Sequence, residues 1–127
     1  MQFDHAGIAT DDADTLASLF SDLFDTSVVH EEELDGLQVL FLDVENGYFE
    51  LLEPTGDGTI QRYLDENGPG IHHLALSTPD IETALSRARE LGIDLIDEEP
   101  RSGAWDHRVA FLHPKSTGGI LIEFVQH

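Results

Sequence analysis

The sequence contains one internal repeat, and this repeat constrains the fold more than any other feature. The segment Asp4–Thr10 (DHAGIAT) aligns without a gap on His72–Thr78 (HHLALST), and farther along Asp12 matches Asp80. Each copy reads as a short apolar strand with a histidine near its start, then a polar break, then a helix. A chain of 127 residues with one such repeat predicts a single domain, residues 1–127, made of two tandem modules.

The periodicity of the apolar residues predicts the other elements of each module. Helical spacing defines one apolar face in each half: Leu16, Leu19, Phe20, Leu23 and Phe24 in the first, and Ile81, Ala84, Leu85, Ala88 and Leu91 in the second. Asp11 or Asp12 is the expected N-cap of the first helix. Six strands are predicted at roughly Ser27–Glu31, Leu37–Val44, Tyr48–Leu52, Asp94–Asp97, Arg108–His113 and Gly119–Val125.

These elements predict an α+β fold of tandem βαβββ modules. Repeat one is expected at about residues 1–57 and repeat two at about residues 70–127. A short helix at Thr59–Glu66 is expected to connect them.

Each half offers a histidine on its first strand and a glutamate on its last strand. His5 and Glu50 are the pair in the first half, and His73 and Glu123 are the pair in the second. A carboxylate within the apolar stretches FELL and LIEF is costly to bury unless it is paired. Packing of the halves around a pseudo-twofold axis would bring the four side chains to one divalent ion. Such nitrogen and oxygen ligands suit Co²⁺, Ni²⁺, Mn²⁺, Fe²⁺ or Zn²⁺.

The charge of the chain is unusual and excludes one class of partner. Six Lys and Arg residues stand against 26 Asp and Glu residues, which gives a net charge of −20. A nucleic-acid-binding surface needs the opposite sign. Self-repulsion at this charge is relieved when molar salt shortens the Debye length to roughly 3 Å, so we interpret the chain as adapted to the salty cytosol of an extreme halophile.

Targeting and covalent features are sparse. No apolar run reaches the ~20 residues of a membrane span, and the N-terminal residues lack the pattern of a signal peptide, so we expect a cytoplasmic protein without membrane partners. The sequence has no cysteine, which excludes disulfides and thiolate metal sites.

Five stretches carry a resemblance to a known family over nearly the full chain. They are DHAGIAT, FELLEP, GPGIHHLAL, DLIDEEPRSGA and VAFLHPKSTGGILIEF. With them the chain resembles the vicinal-oxygen-chelate superfamily, which includes glyoxalase I and extradiol dioxygenases, and within it the methylmalonyl-CoA epimerases. The resemblance implies a curved mixed sheet that cups a metal site, with helices on the outer face. It places the metal ligands at His5, Glu50, His73 and Glu123.

The resemblance also implies a reaction, the interconversion of (2R)- and (2S)-methylmalonyl-CoA by removal of the α-proton through a metal-stabilised enolate. One divalent ion per chain is implied, with Co²⁺ favoured and Mn²⁺, Ni²⁺ or Zn²⁺ as alternatives. Glu123 is the expected proton carrier on one face of the α-carbon. The second carrier is implied near the strand after the first helix, where Glu33, Asp35 and Gln38 are candidates and Glu33 is preferred.

An acyl-CoA thioester needs cationic and polar contacts for its phosphates. Lys115, the only lysine of the chain, lies with Ser116 in the segment HPKSTGG, and Arg101 is a weaker candidate for the same role. We also expect a homodimer. A glyoxalase-type lyase or isomerase and a metal-free small-molecule-binding protein of the same fold remain alternatives, and a dioxygenase is disfavoured because it usually has three protein ligands.

Overall fold

The computed structural model describes residues 1–127, which divide into two compact units. The first module is His5–His72, and the second module is Met1–Asp4 together with His73–His127. The first half of the chain contains β1 (Gln2–Ala9), α1 (Ala13–Phe24), β2 (Val28–Leu34), β3 (Leu37–Val44), β4 (Gly47–Pro54) and α2 (Thr59–Asn67). The second half contains β5 (Gly70–Ser77), α3 (Ile81–Glu90), β6 (Arg101–Ser102), β7 (Arg108–Leu112) and β8 (Ile122–Gln126). None of the three helices has the length and apolar character needed to cross a membrane.

The strands of the first module follow the order β2-β3-β4-β1. Adjacent strands are antiparallel from β2 to β4, whereas β1 pairs with β4 in parallel. Helix α1 packs on one face of these strands and forms a core with them: Ala13, Ala17, Leu40, Leu42 and Leu51. Because side chains alternate along a strand, Phe41 and Glu50 face away from this helix.

The second module repeats this plan with the strand order β5-β8-β7-β6. Strand β5 is parallel to β8, and the other pairs are antiparallel. Helix α3 packs on one face of the strands through a buried cluster: Ile81, Ala84, Leu85, Ala88, Ala110, Leu112 and Phe124. The predicted α+β class and the tandem βαβββ modules are confirmed.

The repeat extends to the caps of the two helices. The Asp12 carboxylate accepts hydrogen bonds from the Thr15 hydroxyl at 2.7 Å and the Thr15 backbone N–H at 3.1 Å. Asp80 accepts the same two bonds from Thr83, at 2.8 and 3.1 Å. The hydrogen bonds from these threonines hold the pKa of both carboxyl groups below the ordinary value. Both N-caps are therefore side-chain caps of the kind predicted for the first helix.

The predicted apolar face of the first helix is partly wrong. Leu19 and Leu23 are 55% and 64% exposed, and Phe24 is 44% exposed. The residues that meet the strands closely are Ala13 and Ala17. Leu16 and Phe20 of the predicted stripe pack against this core, so the buried face is rotated from Leu19 and Leu23 toward the two alanines.

The strand predicted at Asp94–Asp97 is also wrong. Only one isolated bridge forms there, between Leu95 and Leu112. The carboxylate of Asp97 accepts the backbone N–H of Phe111 at 2.8 Å and so replaces a backbone partner. The edge strand forms instead at β6, beyond Pro100.

The last strand begins at Ile122, three residues later than predicted. Gly118 and Gly119 have φ angles of +74° and +86°, in the left-handed region that favours glycine, and a strand cannot pass through this turn.

Candidate metal centre

A buried histidine–glutamate pair lies on the face of the first module opposite α1. Strands β1 and β4 are parallel with Gly7 opposite Glu50, so His5, two residues earlier, points to the same face as Glu50. His5 Nε2 lies 3.3 Å from Glu50 Oε1, and the two side chains are 5% and 7% exposed. The ring of Phe41 contacts the His5 ring edge-on, with centroids 5.7 Å apart.

The second module holds the same arrangement. Ala75 of β5 lies opposite Glu123 of β8, and His73 lies two residues before Ala75. His73 Nε2 is 3.5 Å from Glu123 Oε1, and the side chains are 4% and 8% exposed. Phe111 takes the place of Phe41, with its ring edge-on to His73 at 5.4 Å. Two separate modules therefore build the same polar pair from the same strand register.

Each pair has the chemistry of a metal-ligand set. An imidazole nitrogen and a carboxylate oxygen face each other in a buried setting, and these are donors that borderline divalent metals accept. The residues that are predicted from the sequence to be ligands thus lie side by side within each module. Their joint binding of one ion stays a prediction.

A second polar pair lies on the same face of the first module. His30 Nε2 of β2 is 3.0 Å from Glu32 Oε1, and both side chains are about a quarter exposed, at 27% and 26%. The His30 ring contacts Phe41 at 6.0 Å, the same ring that contacts His5. Sequence reasoning misses this pair, although the spacing of two residues between His30 and Glu32 places both on one face of a strand.

The preferred second proton carrier, Glu33, lies elsewhere. It pairs with Gln38 across β2 and β3. The Gln38 amide donates a hydrogen bond to Asp14 of α1 at 3.4 Å, so Gln38 and its partner Glu33 lie on the face of the strands that α1 covers. Glu33 is exposed on that side, whereas Glu50 faces the opposite side. Asp35 is exposed in the turn between β2 and β3, with a left-handed φ of +50°.

The three candidates for CoA contacts differ in the residues that they contact. Lys115 is 68% exposed, with its ammonium 3.6 Å from the Asp94 carboxylate, and the Ser116 hydroxyl accepts the Asp94 backbone N–H at 3.1 Å. Arg101 lies over the ring of Phe111, 5.7 Å from its centroid, and its Nε donates to Asp97 at 3.1 Å. Since Phe111 also contacts His73, one aromatic ring connects Arg101 with the buried pair of its module.

Comparisons with known proteins give a consistent family. The model of the Glyoxalase/Bleomycin resistance protein/Dioxygenase superfamily matches residues 4–111. The chain is 35% identical to the mitochondrial methylmalonyl-CoA epimerase of Dictyostelium discoideum, over 96% of this chain and 76% of that one. It is also 35% identical to the ethylmalonyl-CoA/methylmalonyl-CoA epimerase of Cereibacter sphaeroides, over 98% and 97% of the two chains.

A solved structure is similar over almost the whole chain. A variant of the Streptomyces coelicolor methylmalonyl-CoA epimerase in complex with 2-nitronate-propionyl-CoA superimposes with a TM-score of 0.93 at 33% identity. The match covers 99% of this chain and 94% of that one. With its tandem modules and the match of the family model over most of its length, this chain belongs to the glyoxalase/bleomycin resistance protein/dioxygenase superfamily.

Proposed function

We propose that this protein is a methylmalonyl-CoA epimerase that uses one divalent metal ion. The observation that carries the proposal is the buried histidine–glutamate pair that occurs at the same register in both modules. Relatives named as methylmalonyl-CoA epimerases match nearly the full chain. A similar structure holds a propionyl-CoA derivative, which supports an acyl-CoA thioester as the substrate.

The donor set of the two pairs fits a divalent metal. His5 and His73 would supply two imidazole nitrogens, and Glu50 and Glu123 would supply two carboxylate oxygens. All four residues are at most 6% exposed, and buried carboxylates at this depth need a cationic or hydrogen-bonded partner. Co²⁺ is our preferred ion, with Mn²⁺, Ni²⁺ or Zn²⁺ as alternatives. An ion held there would supply a Lewis acid for the thioester oxygen on which negative charge develops.

The protein itself must move a proton at C2 of the substrate. We assign one carrier to Glu123, whose carboxylate takes the proton as the C2–H bond breaks and the electron pair moves into the thioester. His73 Nε2 lies 3.5 Å from Glu123 Oε1, a distance that suits two neighbouring ligands of one ion. For the CoA moiety we keep Arg101, Lys115 and Ser116 as candidates. The contacts of Arg101 with Phe111, next to His73, favour Arg101.

The decisive experiment follows each pure epimer of methylmalonyl-CoA in D₂O and high salt by proton NMR. The wild-type protein should invert C2 and incorporate deuterium there, with about one equivalent of divalent metal per chain by elemental analysis. The Glu123→Gln variant keeps an amide oxygen but cannot carry a proton, so inversion should slow by at least ~10²–10⁴-fold. Light scattering on the same sample tests the homodimer that we propose.

One control variant and two contrary results complete the experiment. The His73→Ala variant should lose metal and activity together while its circular dichroism stays that of the wild type. Metal-free wild-type protein that turns over at the full rate would refute the metal requirement. Absence of both inversion and exchange in metal-loaded protein would refute the epimerase function.

A further inference from the structure

We propose that Glu32, held in place by His30, is the second proton carrier of the reaction. The inference rests on the proposed function, because only an inversion at carbon requires two carriers. A proton removed from one face of C2 must be replaced from the opposite face, and a single carboxylate on one face returns it with retention. Glu123 of the second module serves one face, so a second acid–base group is required.

The strand register of the first module places Glu32 on the face of the buried pair. His30 lies opposite Phe41, and Phe41 lies opposite Glu50, so these three side chains form one row across β2, β3 and β4. Residues directly opposite each other share a face of the sheet. Glu32 lies two residues beyond His30 and therefore points to the same side. The neighbouring glutamates of β2, at positions 31 and 33, point to the α1 side.

The surroundings of Glu32 suit a proton carrier. Its side chain is 26% exposed, so the carboxylate is open to solvent, with which a proton carrier must exchange. His30 Nε2 lies 3.0 Å from Oε1 of Glu32 and fixes the direction of the carboxylate. The His30 ring itself rests against Phe41, which limits its rotation. We therefore assign His30 as the positioning residue and Glu32 as the group that exchanges the proton.

The step balances without any further reagent. In one direction the Glu32 carboxylate takes the C2 proton, the C2–H electron pair delocalises into the thioester, and protonated Glu123 delivers a proton to the opposite face. In the other direction the two residues exchange roles. Each carrier then returns to its starting protonation state by proton exchange with solvent.

The test compares Glu32→Gln with Glu31→Gln, a matched control on the same strand. Both variants remove one negative charge, but Glu31 accepts a hydrogen bond from Gln38 at 3.3 Å on the α1 side. Each purified, metal-loaded protein is incubated in D₂O with each pure epimer, and inversion and deuterium uptake at C2 are followed separately. Glu32→Gln should invert C2 at least ~10²-fold more slowly than the wild type.

The pattern of exchange separates proton transfer from structural damage. Glu32→Gln should still exchange the C2 proton of one epimer, with retention, because Glu123 remains, and should not exchange that of the other. The Glu31→Gln variant should behave as the wild type. Among His30 variants, His30→Gln keeps an N–H donor and should stay more active than His30→Phe.

Four results would overturn the inference. Inversion by Glu32→Gln at the wild-type rate would show that Glu32 carries no proton, and equal loss of exchange from both epimers would show a structural role. Equal rates for the two His30 variants would remove the positioning role of His30. A wild-type protein that neither inverts nor exchanges would refute the proposed function and this inference with it, whereas the first three results leave the proposed function standing.

Discussion

Substitution of Gly103 by alanine should destabilise the second module by a mechanism that the structure makes specific. Gly103 is buried between β6 and the turn at residues 104–106, with an extended backbone (φ −119°, ψ −161°) that any residue can adopt. A Cβ atom at this position would lie 2.8 Å from Cγ2 and 2.9 Å from Cγ1 of Val109. The perturbation is therefore steric and does not involve backbone strain.

The size of the effect follows from these distances. Carbon atoms in contact prefer about 3.5–4.0 Å, so both contacts would be too short by at least ~0.6 Å. Val109 is 4% exposed and packs with Ala75 and Val125, so it has little room to move. Overpacking of this kind costs about 1–3 kcal/mol, and we expect about 2 kcal/mol. For a domain of this size that loss lowers Tm by roughly 6–10 °C.

A double-mutant cycle measured by thermal and urea unfolding in molar salt tests the reasoning. Val109→Ala removes both clashing atoms, so Gly103→Ala in that background should change the free energy of unfolding by less than ~0.5 kcal/mol, with a coupling of about 2 kcal/mol. Gly70→Ala is the control, since its Cβ would lie 3.8 Å from the Tyr63 hydroxyl. Equal destabilisation by Gly103→Ala in both backgrounds would refute the packing of residue 103 against β7.

Three further predictions test the charge, the caps and the substrate contacts. Tm should rise steeply from 0.1 M to 2 M KCl because salt screens the net charge of −20, and equal values would contradict adaptation to salt. Because the pKa of Asp12 and Asp80 is lowered in the folded protein, these carboxylates stabilise the fold above pH 3.8, and this stabilisation is lost as the pH falls through the lower folded pKa. The difference in the free energy of unfolding between the wild type and an Asp12→Asn/Asp80→Asn variant should therefore shrink below about pH 4. A difference that does not change with pH would contradict this prediction. Arg101→Ala should raise KM for the acyl-CoA by ~10-fold or more, as expected for the loss of a charged hydrogen bond. Lys115→Ala should raise KM less, because the Lys115 ammonium is exposed beside Asp94. A larger effect of Lys115→Ala would contradict our preference for Arg101.

Features of this fold that depend on local sequence can be predicted well. The cap at Asp12 needs only a hydrogen-bonding side chain three residues before its partner N–H, and the repeat supplies a second example at Asp80. The histidine–glutamate pairs can be predicted for the same reason, because a pattern that occurs twice is much less often accidental than one that occurs once.

Features that depend on packing cannot be predicted in this way. The first helix has large residues at Leu19 and Leu23 and small residues at Ala13 and Ala17, and both sets have helical spacing. Hydrophobicity favours burial of the large set, but the short side chains allow closer approach to the strands, and the structure buries the alanines. Strand β2 poses a similar difficulty, because the run Glu31–Glu33 has no apolar alternation and a shift of one residue reverses which glutamate faces the site.

The two modules diverge at one register position, and this divergence connects the proposed mechanism with the proposed substrate. Glu32 lies opposite Val39 in the first module, and Arg101 lies opposite Val109 in the second. Both valines lie two residues before the phenylalanine that contacts the buried histidine, so Glu32 and Arg101 occupy equivalent places. A CoA thioester with an acidic C–H, the proposed substrate, requires different groups at these places: an acid–base residue at one and a cation for the CoA phosphates at the other. The duplicated part of the sequence thus accounts for the proposed ligands, whereas the proposed reaction and substrate depend on the residues in which the two copies differ.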